Sequence, residues 1–212
     1  VGLWVKISPR SFGWNLHNVV SAFADVLIPH AHRWEELHLF HIDHTQAAEQ
    51  AFDKFKSLNL PRLERLVLWS REWDATDKIC STWTLPNLRR IIVHNGVPME
   101  LPGKANLLEC DVVLEGCNIK GFIPKISDFL GSLTSLTTLQ RTSSEATFLH
   151  SYDLKNLIRL PNLRTLSMRL TFRKHDDMFN AQRSGQGILS LFEHLEAPQL
   201  GELSVKLDKT DD

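Results

Sequence analysis

No uninterrupted apolar run in these 212 residues approaches the roughly 18 that a membrane span needs. No basic, apolar, small-residue signal pattern opens the chain either. Cysteine is scarce. Cys80, Cys110 and Cys117 are an odd number with no Cys-x-x-Cys spacing, which speaks against a disulfide framework and for a reducing, intracellular setting. An excess of one charge is also lacking. The 24 basic and 25 acidic residues leave a formal net charge of -1, so neither nucleic acid nor a membrane surface is expected as partner on electrostatic grounds. The familiar catalytic signatures are missing: Gly-x-Ser-x-Gly, His-Glu-x-x-His and a Walker-type glycine-rich loop. Gly185-Gln186-Gly187 reads as the entry to a helix and Asp176-Asp177 as part of a charged, solvated connector. The cysteines read as small buried hydrophobes. No catalytic residue, metal or cofactor is indicated, and the expectation is a chain that binds and makes or breaks no bond.

What the sequence does contain is a repeat. Leu60-Pro61-Arg62-Leu63-Glu64-Arg65-Leu66-Val67-Leu68 recurs as Leu85-Pro86-Asn87-Leu88-Arg89-Arg90-Ile91-Ile92-Val93 and as Leu160-Pro161-Asn162-Leu163-Arg164-Thr165-Leu166-Ser167-Met168. A further copy is Ala197-Pro198-Gln199-Leu200-Gly201-Glu202-Leu203-Ser204-Val205. Proline lacks the N–H a ladder needs and disfavours helix in the residue before it, so it marks a turn into a strand. The last three positions alternate apolar, other, apolar, as in a half-buried strand. Less regular copies are Trp34–Leu39, Leu107–Leu114 and Leu133–Leu139. The shared apolar slot falls at residues 37, 66, 91, 110, 139, 166 and 203, in steps of 19 to 37. Most steps lie in the range of leucine-rich repeats, whose units are too small to bury their own apolar edge and must stack. The expected fold is an α/β leucine-rich-repeat solenoid: a single domain over 1–212 with about seven irregular repeats, and a right-handed arc with parallel strands lining its inner face.

Other expected elements are a strand at Leu3–Ile7 and an amphipathic helix from Leu16 to Ile28. The helix carries Leu16, Val19, Val20, Phe23, Val26 and Leu27 as its apolar stripe and ends at Pro29. Further helices are expected at Thr45–Phe55, Ile126–Leu133, Asp153–Leu160 and Ile188–Leu195, and a polar connector at Thr171–Gly187. Leu37, Leu39, Leu63, Leu66, Leu68, Leu88, Ile91, Val93, Leu163, Leu166, Met168, Leu203 and Val205 are the expected core.

Two groups of residues invite a chemical reading. His30, His32, His38, His41 and His44, with Asp43, could supply nitrogen and oxygen ligands to zinc, but they fall around a strand rather than on one helix face, and solvated loop histidines are the preferred reading. A metal-dependent hydrolase built on His38–His44 is the corresponding enzyme alternative. The second group follows from strand alternation: residues flanking the buried pair must project to the other face, the inner one of an arc. These are Glu36, His38 and Phe40; Arg65, Val67 and Trp69; Arg90, Ile92 and His94; Thr165, Ser167 and Arg169; Glu202, Ser204 and Lys206. Phe40, Trp69, Arg90 and Arg169 are the expected anchors, because aromatic and arginine side chains dominate interface energetics.

With the repeats placed, the chain resembles the leucine-rich-repeat region of fungal F-box-like proteins, especially the expanded sets of mushroom-forming fungi. The residues behind this are Leu3-Trp4-Val5-Lys6-Ile7, the run from Val26 through Pro29 to Leu37, the Leu-Pro-x-Leu copies and the closing Ala197-Pro198-Gln199-Leu200. The similarity spans nearly the whole chain, through generic repeat positions. In that family an F-box precedes the strand corresponding to Leu3–Ile7. The resemblance therefore implies a fragment carrying the recognition half of a ubiquitin-ligase substrate receptor, with any Skp-type adaptor docking through an F-box outside these residues. The alternative is a leucine-rich-repeat interaction or sensor domain unrelated to ubiquitination.

Overall fold

The computed structural model describes residues 2–7, 16–42, 53–70, 80–94, 98–114, 128–143, 158–173 and 193–210. It is mixed α/β and is dominated by an open parallel sheet of eight strands. Two compact units, Val1–Leu107 and Leu108–Asp212, divide the chain.

The first unit holds strands β1 (Leu3–Ile7), β2 (Trp34–Ile42), β3 (Arg65–Ser70) and β4 (Arg90–His94), with helix α1 (Leu16–Leu27) between the first two. The strands pair parallel and in chain order, with Val5 opposite Leu37, Leu37 opposite Leu66 and Leu66 opposite Ile91. The repeat motif explains this register. Each apolar-Pro-x-Leu copy closes a β-turn, Leu63 N–H donating to Leu60 O at 3.2 Å and Leu88 N–H to Leu85 O at 3.4 Å. Proline occupies the second position, where its fixed φ fits and its missing N–H costs nothing. The chain then climbs onto its predecessor: Glu64 N–H bonds Glu35 O at 2.9 Å, and the N–H groups of Arg89 and Arg90 share Glu64 O at 3.0 Å. Asn87 adds a side-chain rung, donating from Nδ2 to Pro61 O at 2.6 Å.

One face of these strands is buried throughout: Val5 and Ile7, Leu37 and Leu39, Leu66 and Leu68, Ile91 and Val93. The turn residues Leu60, Leu63, Leu85 and Leu88 are buried with them. Before the turns, Asn59 bridges Thr84 in parallel, and the buried Trp83 donates its indole N–H to Phe55 O at 2.6 Å. Gly103 has φ +74°, and a Cβ there would lie 2.7 Å from Leu85 O, so glycine is required on both counts.

Helix α1 begins and ends within a residue of its expected bounds and passes into a 3-10 helix, Ile28–Arg33, at Pro29. Among the side chains described in α1, residues 21–27, Ala24 is buried, whereas Phe23 and Val26 are exposed. At 100° per residue, the half-buried Leu27 falls on the same side of α1 as Ala24, and Phe23 and Val26 lie off that side. This corrects the expected stripe. Of the predicted Thr45–Phe55 helix, Asp53–Phe55 is a 3-10 turn, tied to α1 by Lys54 Nζ on Asp25 at 2.6 Å; the remainder lies outside the described residues.

The second unit repeats the scheme with β5 (Glu109–Leu114), β6 (Thr138–Ser143), β8 (Thr165–Arg173) and β10 (Glu202–Thr210), while β7 (Ile158–Arg159) and β9 (Leu195–Glu196) form a separate parallel pair. Cys110 stands opposite Leu139, Leu139 opposite Leu166 and Leu166 opposite Leu203. Turns close at Leu133–Leu136, Leu160–Leu163 and Ala197–Leu200, each at 3.1 Å. Paired N–H groups again share the preceding carbonyl: Thr137 and Thr138 on Leu108 O, Arg164 and Thr165 on Thr137 O, Gly201 and Glu202 on Arg164 O. Asn162 Nδ2 donates to Thr134 O at 2.8 Å, the counterpart of Asn87.

Three helix ends differ from expectation. Residues 128–131 are helical, and Ser132, whose hydroxyl donates to Phe129 O at 2.5 Å, stops the helix short of Leu133. Ile158–Arg159 and Leu195–Glu196 are strands where helices were expected. Both segments enter a Pro-containing turn, and proline holds its predecessor out of the helical region. Once extended side by side they pair, Ile158 N–H to His194 O at 2.8 Å and Leu160 N–H to Glu196 O at 2.9 Å. The earlier parts of those two helices and most of the Thr171–Gly187 connector lie outside the described residues. The core expectation fails at two positions. Leu203 and Val205 are 52% and 45% exposed, against 1% for Leu166. They sit on β10, the outermost of the described strands in the sheet order.

Candidate binding face

Alternation sets the opposite face of β1–β4. Its residues form cross-strand rows: Trp4, Glu36, Arg65 and Arg90 in one; Lys6, His38, Val67 and Ile92 in the next; Phe40, Trp69 and His94 in the third. All nine residues assigned to this face from β2, β3 and β4 stand on it. They differ in depth. Glu36 and Val67 are 6% and 5% exposed, which corrects the idea that Val67 lies open, and the other seven are half-buried. Val67 is short and lies between the larger His38 and Ile92, which accounts for its depth.

The third row is a chain of rings. Phe40 and Trp69 meet edge to face, centroids 5.7 Å apart at 85°, and Trp69 and His94 follow at 5.8 Å. Edge-to-face contact suits the ring quadrupoles. His38 leans on Phe40 at 5.8 Å, and the Lys6 ammonium lies 4.8 Å from the Phe40 centroid, a cation–π contact. The register shifts by one residue just beyond Phe40, between Phe40 and Ile42, so the row ends at a bulge.

The first row is ionic. Glu36 Oε1 accepts from His38 Nε2 at 2.5 Å and from Arg65 Nη1 at 2.8 Å. A carboxylate this deep needs such partners, because the ionised form is costly to bury alone. Arg65 keeps its Nε shut from solvent with no acceptor among the described residues.

Trp4 and Lys6 belong to this face and were absent from the sequence assignment. Trp4 is 79% exposed. Their signal was present in Leu3-Trp4-Val5-Lys6-Ile7, where Val5 and Ile7 are buried and the residues between them must point the other way.

In the second unit the corresponding rows are Glu109, Thr138, Thr165 and Glu202; Asp111, Gln140, Ser167 and Ser204; Val113, Thr142, Arg169 and Lys206. Thr165 and Ser167 are half-buried, and Arg169, Glu202, Ser204 and Lys206 are exposed. No aromatic side chain occurs in these rows. The members from β5 and β6 were missed because Leu107–Leu114 lacks the proline that fixes the register elsewhere, and Leu133–Leu139 lacks it too.

His30 and His32 are exposed on the 3-10 segment, away from His38 on the sheet face, and His44 lies outside the described residues. Among the described residues no group of three or more His, Cys, Asp or Glu side chains is placed to hold a metal ion. Cys80 and Cys110 are buried thiols, and burial, helped by Asp111, pushes the Cys110 thiol well above its usual range. Among the described residues no helix is long and apolar enough to cross a membrane.

Comparison with protein-family models, with curated proteins and with solved structures returns no match.

Proposed function

We propose that this chain is a leucine-rich-repeat solenoid that binds another protein through the sheet face opposite its core. The observation that carries the reading is the Phe40–Trp69–His94 row with Lys6 over Phe40: large rings held together on the sheet face opposite the buried leucines. Such side chains are typical interface anchors. The repeating β-turn and shared-carbonyl scheme supports the solenoid, since each unit is completed by its neighbour. The resemblance to F-box-like proteins supports the finer role of substrate receptor in a Skp–cullin–F-box ubiquitin ligase, acting by holding a target. The chain acts without making or breaking a bond, in a cytoplasmic or nuclear setting. The reading frame upstream of Val1 tests the ligase role: an F-box there supports it, and a different domain there removes it. Affinity capture from cells tests the face. Trp69→Ala with Arg90→Ala should weaken capture at least tenfold, about 1.4 kcal/mol. Unchanged capture, together with loss on substituting Phe23 of α1, would move the partner to the helix side.

A further inference from the structure

We propose that the face of β1–β4 docks an extended acidic peptide, with its carboxylates on Arg65 and Lys6 and its apolar side chains against Trp4 and the Phe40–Trp69 pair. This rests on the binding-face reading above and adds the chemistry of the partner.

Charge complementarity is the first ground. The described cations of this face are Lys6, Arg65 and Arg90, and the described acid is Glu36. Glu36 is buried, and its Oε1 already takes two donors, so its charge is answered from within. Arg65 gives Nη1 to Glu36 and keeps Nε shut from solvent, yet its side chain is 36% exposed and the terminal Nη groups of a guanidinium carry four N–H donors between them. Lys6 is exposed at the start of the aromatic row. A basic partner meets repulsion at both points.

Ring geometry is the second ground, and it separates a peptide from a single-stranded nucleic acid. A single strand stacks successive bases and needs successive open ring faces, whereas among the described rings of this face Trp4 alone is exposed. Here one face of Phe40 lies under the Lys6 ammonium, and Trp69 is held between Phe40 and His94. The row is half-buried and packed on itself, which suits contact with aliphatic or aromatic side chains.

Spacing is the third. Lys6 stands opposite His38, His38 opposite Val67, and Arg65 is two residues before Val67. Two strand spacings of about 4.8 Å and two residues of about 3.3 Å put their Cα atoms roughly 12 Å apart. In an extended peptide, residues i and i+4 face the same way about 13.6 Å apart, within reach of two long side chains. The expected pattern is acidic-x-apolar-x-acidic.

The test is selection from a random dodecapeptide library displayed on phage, with the 212-residue chain as bait. Enriched sequences should carry that pattern. The best of them, made synthetically and followed by fluorescence anisotropy, should bind at least tenfold more weakly when its acids become amides. Arg65→Gln and Lys6→Gln should each weaken it at least fivefold, as should raising sodium chloride from about 0.05 to 0.5 M. Lys6 does not touch Glu36, so Lys6→Gln remains informative if Arg65→Gln lowers stability. Enriched peptides that are neutral but lose binding on Trp69→Ala overturn the acidic partner and leave the face reading intact. Peptides indifferent to all three substitutions overturn both. A library with no enrichment overturns the proposal, and so does tighter binding of oligouridylate than of any selected peptide.

Discussion

Leu166 and Leu203 occupy the same slot of adjacent repeats and stand opposite each other in β8 and β10, yet one is 1% exposed and the other 52%. Truncating each to alanine separates what the motif contributes from what its surroundings contribute. Leu→Ala removes three carbons, about 2.4 kcal/mol at roughly 0.8 kcal/mol per buried CH2. At Leu166 the cavity left behind adds to that, for a total of about 3–5 kcal/mol. At Leu203 about half the transfer term remains and no closed cavity forms, so about 1 kcal/mol is expected. Urea unfolding followed by far-UV circular dichroism reads the difference. With a slope of about 2 kcal/mol per molar urea, Leu166→Ala should lower the midpoint by about 1.5–2.5 M and Leu203→Ala by about 0.5 M. Equal shifts would refute the reasoning, because Leu203 would then be as enclosed as Leu166. A loss under about 1 kcal/mol at Leu166 would show that the strand register is wrong.

Three further predictions concern the turns and the pH response. Asn162→Ala removes the bond to Thr134 O and should cost about 0.5–1.5 kcal/mol, with Asn162→Asp no better because the carboxylate cannot donate to a carbonyl. Unchanged stability in Asn162→Ala would show that the rung is dispensable. Gly103→Ala should cost about 1–3 kcal/mol, since the added methyl group meets both a left-handed φ and Leu85 O; a neutral outcome in thermal melts would mean the loop relaxes freely. The raised Cys110 pKa means the folded chain holds that proton more tightly than the unfolded chain. Stability is therefore fully present below the ordinary thiol range, about pH 8.5, and is lost as pH rises above it. Cys110→Ala should flatten that alkaline decline measured by urea midpoints between pH 8 and 10, and an identical decline in the variant would refute the assignment.

The parallel register was legible in the sequence because proline gives a physical marker. A residue without an N–H and with fixed φ marks the turn, and the turn sets where the next strand starts. Proline marks the slots at Leu66, Ile91, Leu166 and Leu203 in this way, and the slots at Leu37, Cys110 and Leu139, which lack it, follow from apolar spacing alone; within each unit the slots lie side by side. Burial at the edge was not legible. Leu203 and Leu166 have the same local pattern, and what separates them is their place among the described strands, β10 at the edge and β8 between two neighbours. The two-residue strands Ile158–Arg159 and Leu195–Glu196 are too short for a period to register, and the apolar residues around them read equally well as helix. On the sheet face opposite the core, alternation gave the side of the sheet but not the depth. Glu36 looks like any surface acid in the sequence, and only its enclosure with Arg65 and His38 reveals a buried ion pair.

The shared carbonyls of Glu64, Leu108, Thr137 and Arg164 have a consequence for how such a chain can change over time. Each strand takes its alignment from the backbone immediately before it and the carbonyl beside it, not from the length of chain that led there. Connectors between slots can therefore gain or lose residues without sliding any strand past its neighbour, and the sequence already uses slots separated by as few as 19 residues and as many as 37. A deletion of one residue between Leu60 and Leu66 would instead turn every following side chain of β3 to the opposite face, sending Trp69 into the core and Leu68 toward the solvent. Variation in length is thus confined to the connectors, and the strands themselves should vary by substitution alone.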